Sequence, residues 1–350
     1  MSIVSEHPTY LALAHPTSLP IPPHYQDVDA GVGLGNMHEA NIDVAKEPLP
    51  AIQNLIRGFL NRCAYQSPNS KQDDELRRWL AEQVAQRDIQ LAPAFLTKSI
   101  DASCIYVETV YAHTPPEHRR YIALYTVCML YADDLGEHDP DAIMGFTHRF
   151  ATGEQQPNDI LECLAGLLRR AHALWPHYGA DAIITGTLEA LTAAYVENTT
   201  REMVLKPLAT RYPTWLRLKA GIAAPFTNFV FADEWKDIPQ AYLQIIPRLI
   251  MRREIDYWTL GTNDVLSFYK EELAGDTNNC VHMRATVEQI TVEETLSRLV
   301  EEVLETAKRI TAIVAHNEKL AQTWMRYMHG YLEFHLKTPR YRLAELGFCA

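Results

Sequence analysis

With 350 residues the chain is long enough for one large domain or two ordinary ones, and 47% hydrophobic and 9% aromatic residues give it ample material for a packed core. Its 44 acidic against 32 basic residues leave a formal net charge of -12, the wrong sign for unaided nucleic-acid binding, which needs clustered Lys and Arg against the phosphates. The six widely spaced cysteines form no CxxC pair, so neither a zinc knuckle nor a redox dithiol is expected.

Residues 1–48 are rich in Pro, His, Gly and Asn without sustained periodicity and read as an irregular N-terminal arm. They lack a basic region followed by an apolar core, so no signal peptide is expected. Helical periodicity starts at Leu49 with AIQNLIRGFLNRC and resumes in DDELRRWLAEQVAQRDI, where Leu76, Trp79, Leu80 and Val84 share one face. In LAPAFLTKSIDASCIYVETVY the repeat falls on Ile100, Cys104, Val107 and Tyr111. Pro115 and Pro116 then open a helix. Its stretch YIALYTVCMLYADDLGEHD is apolar at nearly every position from Ile122 to Ala132, so most of its sides are buried. A break at Asp139 and Pro140 precedes a short helix, DAIMGFTHRF, then ILECLAGLLRRAHAL and DAIITGTLEALTAAYVENTT. WLRLKAGIAAPFTNFVF, the long region from Ile238 to Leu273 and an amphipathic pattern over 291–336 complete the series. Roughly ten helical segments with no strand alternation between them predict a single all-α domain over 49–350. No run reaches the roughly 18 continuous apolar residues of a membrane span, so a cytoplasmic protein without a membrane anchor is expected.

Two polar constellations stand out against this apolar background. Asp133, Asp134 and Glu137 end the buried helix; positions three and four apart share a face, so Asp133 and Glu137 point the same way with Asp134 beside them. Carboxylates there are costly to desolvate without a positive partner, and their oxygens suit Mg2+; a solvated acidic helix end is the plain alternative. In NDVLSFYKE, Asn263, Ser267 and Glu271 recur every four residues, forming an all-oxygen stripe with apolar filler between. Lys270 lies close enough to reach a phosphate, and Gly261 with Thr262 marks a point where the helix could be irregular. Arg217 and Gly221 are four apart in WLRLKAG, where Gly221 could permit a helix break or a close backbone approach. Lys337, Arg340, Tyr341 and Arg342 in KTPRYR could clasp a diphosphate with forked guanidinium groups. Two oxygen-rich clusters plus arginines describe a binuclear or trinuclear magnesium site that ionises an organic diphosphate, leaving a cation shielded by apolar and aromatic walls. Tyr106, Tyr125, Thr126, Phe226, Phe229, Trp258, Trp324 and Tyr331 are the wall candidates. Cys128 and Met129 are read as packing residues, and His113, His118 and His282 as surface or capping groups.

With these residues the chain resembles class I terpene cyclases, in particular the fungal trichodiene synthase family of sesquiterpene cyclases. DDLGE at 133–137 is similar to the family's aspartate-rich metal motif, with Glu137 in place of the usual final Asp, and NDVLSFYKE at 263–271 is similar to its second metal motif. The resemblance implies a helical bundle around an active-site cavity. It makes Asp133, Asp134, Glu137, Asn263, Ser267 and Glu271 the metal residues, for three Mg2+ ions held with bound diphosphate. It makes Arg217, 263 - 217 = 46 residues before Asn263, the diphosphate sensor, Gly221 the carbonyl-bearing position at the helix break, and Lys270, Arg340 and Tyr341 the remaining diphosphate contacts. Ala220 stands where many bacterial relatives carry an acidic linker, so their relay does not carry over unchanged. The implied activity is cyclisation of farnesyl diphosphate, or another allylic diphosphate, by a homodimer. A cyclase of geranyl or geranylgeranyl diphosphate, an acceptor-dependent prenyl transferase and a noncatalytic helical interaction protein are the competing readings.

Overall fold

The structure, a computed structural model, describes residues 48–87, 93–232, 235, 238–245 and 254–348, the side chains of residues 48, 49, 137 and 138 excepted. The expected arm therefore lies, but for its last residue, outside the described residues. The described residues form fifteen α-helices, more than the ten segments expected from the sequence. They are α1 (Pro48–Arg62), α2 (Asp74–Ala85), α3 (Pro93–Val110), α4 (Pro116–His138), α5 (Pro140–Met144), α6 (Phe146–Thr152), α7 (Asp159–Arg170) and α8 (His177–Thr199). After these come α9 (Tyr212–Ala220), α10 (Ala223–Asn228), α11 (Gln240–Gln244), α12 (Glu254–Ala274), α13 (Cys280–Glu288), α14 (Val292–Val314) and α15 (Glu318–Lys337). Contacts group Glu47–Ala350 as one compact unit.

Local chemistry explains the added breaks. DAIMGFTHRF divides at Gly145 into α5 and α6, and the 291–336 pattern divides at Asn317, whose side chain caps α15 by accepting from the Leu320 amide. By contrast α12 runs unbroken through Gly261 and Thr262. Gly261 is required there because a Cβ would collide with Val303 of α14, so the glycine sets how closely the two helices approach.

Six helices pack as neighbours in a closed ring: α3 on α4, α4 on α8, α8 on α10, α10 on α12, α12 on α15, and α15 back on α3. Gly330 tightens the last joint, since a Cβ at that position would strike the backbone of Thr109 and Val110. The remaining helices cover the outside, with α14 on α12 and α7 on α4. The middle of α4 is buried on all sides, with Ile122, Ala123, Tyr125 and Cys128 fully enclosed. Tyr125 satisfies its phenol on Thr187 Oγ1 of α8 at 2.6 Å. Tyr121 meets Trp175 and Phe229 edge to face next to it, Trp175 and Phe229 lie tilted against each other, and the Trp175 indole donates to the Phe229 carbonyl at 3.2 Å. Between α9 and α10 the chain turns at Gly221 and then at Ile222, whose φ of 53° and ψ of 26° are left-handed. No described helix is long and apolar enough to cross a membrane.

Candidate active site

The ring encloses a cavity of about 230 Å³. Ala102 and Tyr106 of α3, Thr126 and Met129 of α4, Leu191 of α8, Phe226 of α10, Leu260 of α12, and Tyr331 and Phe334 of α15 supply a mainly apolar wall with four aromatic rings. A second, more polar chamber of about 480 Å³ is lined by Glu197, Asn198, Arg201, Lys270, Asp276 and Asn278 among others. Asp133 and Arg340 line both, so an acidic and a basic side chain mark the boundary between a polar and an apolar space.

On the wall of the apolar chamber, segments distant in sequence meet. Arg217 Nε donates to Asp264 Oδ1 at 2.7 Å, and its terminal nitrogen donates to Asn263 Oδ1 at 2.8 Å. Burial is the largest single influence and opposes the Arg217 charge, but Asp264 together with Cys280, Glu271 and Glu197 outweighs it, so the guanidinium is held above its ordinary pKa. Asp264 itself is pushed up to about 6 by burial, with Arg217 pulling the other way. Asn263 has its amide orientation fixed from the opposite side. His335 is wholly buried, a burial that drives its pKa down to about 3 and keeps it neutral. Its Nδ1 bonds the Tyr331 carbonyl at 2.8 Å, which must be the protonated nitrogen, so Nε2 accepts from Asn263 Nδ2 at 3.0 Å. Asn263 Nδ2 also donates to the Tyr341 hydroxyl at 3.3 Å. The amide nitrogen is thereby turned toward His335 and Tyr341, and the oxygen toward Arg217 and the cavity.

Gly221 closes the same cluster. A Cβ on it would lie 2.6 Å from the Arg217 carbonyl oxygen and 2.8 Å from an Arg217 guanidinium nitrogen, and would overlap Leu260. The close backbone approach read from the sequence is present; the left-handed residue at the break is Ile222 rather than the glycine.

The other predicted residues fall into three groups. Arg340 and Tyr341, in a 3-10 turn after α15, line the apolar cavity, and Lys270 lines the polar chamber. Ser267 and Glu271 follow Asn263 on the same face of α12, but neither lines either of these two chambers; Ser267 Oγ is buried without a hydrogen-bond partner, and Glu271 lies 3.4 Å from Lys270 Nζ. Asp134 is half-buried one residue beyond Asp133, and the side chain of Glu137 lies outside the described residues. Lys337 and Arg342 are not at the site: Lys337 pairs with Glu333 at 2.7 Å and donates to Ser70, while Arg342 pairs with Glu345 at 2.8 Å.

Of the wall candidates, Tyr106, Thr126, Phe226 and Tyr331 line the cavity, whereas Tyr125, Phe229, Trp258 and Trp324 are core. Met129, read as packing, is wall instead. His118, read as surface or cap, is buried against Trp175 with Nε2 2.6 Å from the Leu174 carbonyl. Glu197 was missed because it is a lone carboxylate near the end of an apolar helix. Burial raises its pKa, Arg217 counteracts this and Asp133 adds to it, so it belongs electrostatically to the site. Apart from it, exposed His172, His177 and Asp181 bring potential ligand atoms within 4.8 Å of one another.

A ring of helices around an apolar chamber, with carboxylate, amide and guanidinium groups at its polar end, is the build of a class I terpenoid synthase. Comparison with known proteins agrees. The solved linalool/nerolidol synthase from Streptomyces clavuligerus, in complex with 2-fluorogeranyl diphosphate, aligns with a TM-score of 0.60 over 79% of this chain and 99% of its own at 14% identity, a likeness of fold. Among curated relatives, terpene synthase 29 of Postia placenta is 33% identical over 253 residues, 72% of each chain. The alpha-cuprenene synthase COP6 of Coprinopsis cinerea is 26% identical over 300 residues, 84% of this chain and 90% of its own. The family profile described as trichodiene synthase (TRI5) matches residues 71–347. The chain belongs to this trichodiene synthase family of fungal-type terpene synthases. It is a magnesium-dependent lyase of the terpene-cyclase type that acts on an allylic diphosphate through a carbocation.

Proposed function

We propose that the protein is a sesquiterpene synthase that ionises farnesyl diphosphate, cyclises the fifteen-carbon cation and releases diphosphate. The observation that carries this reading is the junction of the two chambers at Asp133 and Arg340, which lets a diphosphate sit in the polar space while its hydrocarbon tail occupies the apolar one.

The residues fit a magnesium cluster. Asn263, Ser267 and Glu271 offer an amide oxygen, a hydroxyl and a carboxylate at helical spacing, and the orphaned Ser267 Oγ is a buried polar atom that a cation would satisfy. Asp133, with Asp134 and Glu137, is the opposing set, and we assign three ions to the pair of motifs. When bound, magnesium supplies positive charge that stabilises the departing diphosphate.

The protein's own groups do the rest. Arg217, Lys270, Arg340 and Tyr341 bind and orient the diphosphate, with Gly221 setting the position of Arg217 and His335 that of Asn263. The ring faces of Tyr106, Phe226, Tyr331 and Phe334 favour a cation and exclude water from it. Tyr106 and Phe226 meet edge to face at 5.0 Å, and Tyr111 fixes the latter's backbone by donating to its carbonyl at 2.6 Å. This gives the wall a fixed contour against which a chain can fold.

A cavity of about 230 Å³ lies below the usual ligand-pocket range of about 300–1,000 Å³. A small cavity favours shorter chains, which places geranylgeranyl diphosphate last and makes geranyl diphosphate the second reading. Incubating the protein with Mg2+ and, separately, geranyl, farnesyl and geranylgeranyl diphosphates, followed by product analysis, tests the proposal. A cyclic hydrocarbon or alcohol from the fifteen-carbon substrate is expected. Turnover confined to the ten-carbon substrate would replace this reading with the second, and no diphosphate release from any of the three would point to an acceptor-dependent transferase.

A further inference from the structure

We propose that His172, His177 and Asp181 form a second metal site, selective for a nitrogen-preferring transition dication of the Zn2+ class and separate from the diphosphate chemistry.

The geometry is that of three protein ligands with room for water. His177 and Asp181 are four residues apart at the start of α8 and so share one face. His172 comes from the preceding 3-10 turn, Ala171–Ala173, and places Nε2 3.1 Å from Asp181 Oδ1. The two imidazole rings lie 5.0 Å apart, tilted by 69°. Three potential ligand atoms fall within 4.8 Å of one another. A tetrahedral ion with bonds near 2.1 Å separates its ligands by about 3.4 Å, so small rotamer adjustments close the site.

The segment between the histidines is already fixed. Leu174 and Trp175 are buried, the Leu174 and Trp175 amides both bond the Ala171 carbonyl, and the Trp175 indole is tied to Phe229. The ligands themselves are exposed, which leaves water free to complete the coordination shell. Little ordering is therefore left for the ion to impose.

The donor set decides the metal. Mg2+ demands an octahedron of oxygens and keeps its waters, whereas two imidazoles and one carboxylate suit Zn2+, Ni2+ or Co2+. Position along α8 separates this site from the polar chamber. Asp181 precedes Glu197 by 16 residues, about 24 Å at the rise of an α-helix. An ion bound at the triad cannot touch a diphosphate there. Its effect is to clip the 3-10 turn to the first turn of α8.

The test uses the full chain, stripped with a chelator and returned to millimolar Mg2+, with Zn2+ and Co2+ as probes. Equilibrium dialysis is expected to find one Zn2+ per chain that is lost in His172→Gln with His177→Gln, and in the single variant Asp181→Asn the affinity falls at least tenfold. Saturating Zn2+ raises Tm by several degrees in the unaltered chain but not in the double variant. Co2+ gives a visible absorption band that disappears in the double variant. Mg2+ alone produces no difference between the two proteins, and their Mg2+-dependent turnover is equal. Equal Zn2+ stoichiometry in the unaltered chain and in both variants would overturn the assignment, as would a Mg2+-supported turnover that collapses with the triad.

Discussion

Adding one methyl group at Gly221 gives a sharp test of how the site is held. The backbone there is ordinary, with φ of -75° and ψ of 0°, so an alanine meets no conformational penalty. The whole cost is steric. The new Cβ would lie 2.6 Å from the Arg217 carbonyl oxygen and 2.8 Å from an Arg217 guanidinium nitrogen, and would also overlap buried Leu260. The carbonyl cannot move cheaply, because it accepts the Gly221 amide at 2.9 Å. Overpacking of this kind costs about 1–3 kcal/mol, so Tm should fall by no more than roughly 2–6 °C. The guanidinium is the part that can give, and displacing it breaks the bond to Asn263 Oδ1. A hydrogen bond to a charged group contributes about 1.5–3 kcal/mol, or roughly 10- to 150-fold in kcat/KM. Gly221→Ala is therefore expected to lose most of its turnover of the allylic diphosphate while remaining folded by circular dichroism and melting. Full turnover in a protein of unchanged Tm would refute the claim that Gly221 sets the position of Arg217.

The other residues around Asn263 carry predictions of their own. Asn263→Ala with Ser267→Ala removes two proposed ligands and should lower Mg2+-dependent turnover by more than the roughly 10–100-fold that outer-sphere partners cost; steady-state kinetics with retained activity would remove both from the metal site. His335→Leu leaves Asn263 Nδ2 with only Tyr341, so the Mg2+ concentration for half-maximal rate should rise about tenfold while affinity for inorganic diphosphate without metal is unaltered. Glu197 has a raised pKa, which means the folded chain holds its proton more tightly than the unfolded chain. Its contribution to stability is thus complete below the unfolded carboxylate pKa and is lost as pH rises through the higher folded value. Glu197→Gln, melted in chelator across that window, should show a flatter fall of Tm than the unaltered protein, and identical curves would dissociate Glu197 from the site's field.

What could be read in the sequence follows from the range of the interactions involved. Helical periods and the stripe of Asn263, Ser267 and Glu271 are set by neighbours within two turns, and they appear where expected, on a helix that runs straight through Gly261. The same holds for the chain break after Ala220. Wall and core aromatics share a helical spacing, so only ring closure separates Tyr106 and Phe226 from Tyr125 and Phe229. Lys337 illustrates the same limit: its pairing with Glu333 is one turn away, but the Ser70 contact that helps draw it off comes from 267 residues distant. His335 was overlooked because a histidine in an aromatic helix carries no signal until Asn263 is placed against it. Glu197 gains its meaning only from Asp133 and Arg217, which lie on the helices packed against its own.

Ile222 has one further consequence. It holds a left-handed backbone conformation that a β-branched residue adopts only at a cost of roughly 1–2 kcal/mol, and the same residue forms part of the cavity wall. A glycine there would relax the chain but hollow out the chamber, while any larger or smaller side chain would reshape the surface a folding carbocation meets. Thermal robustness and carbon skeleton are thus written into one position. A substitution made there for stability therefore also alters the cavity wall, and one made to reshape the wall also alters the strain at this turn.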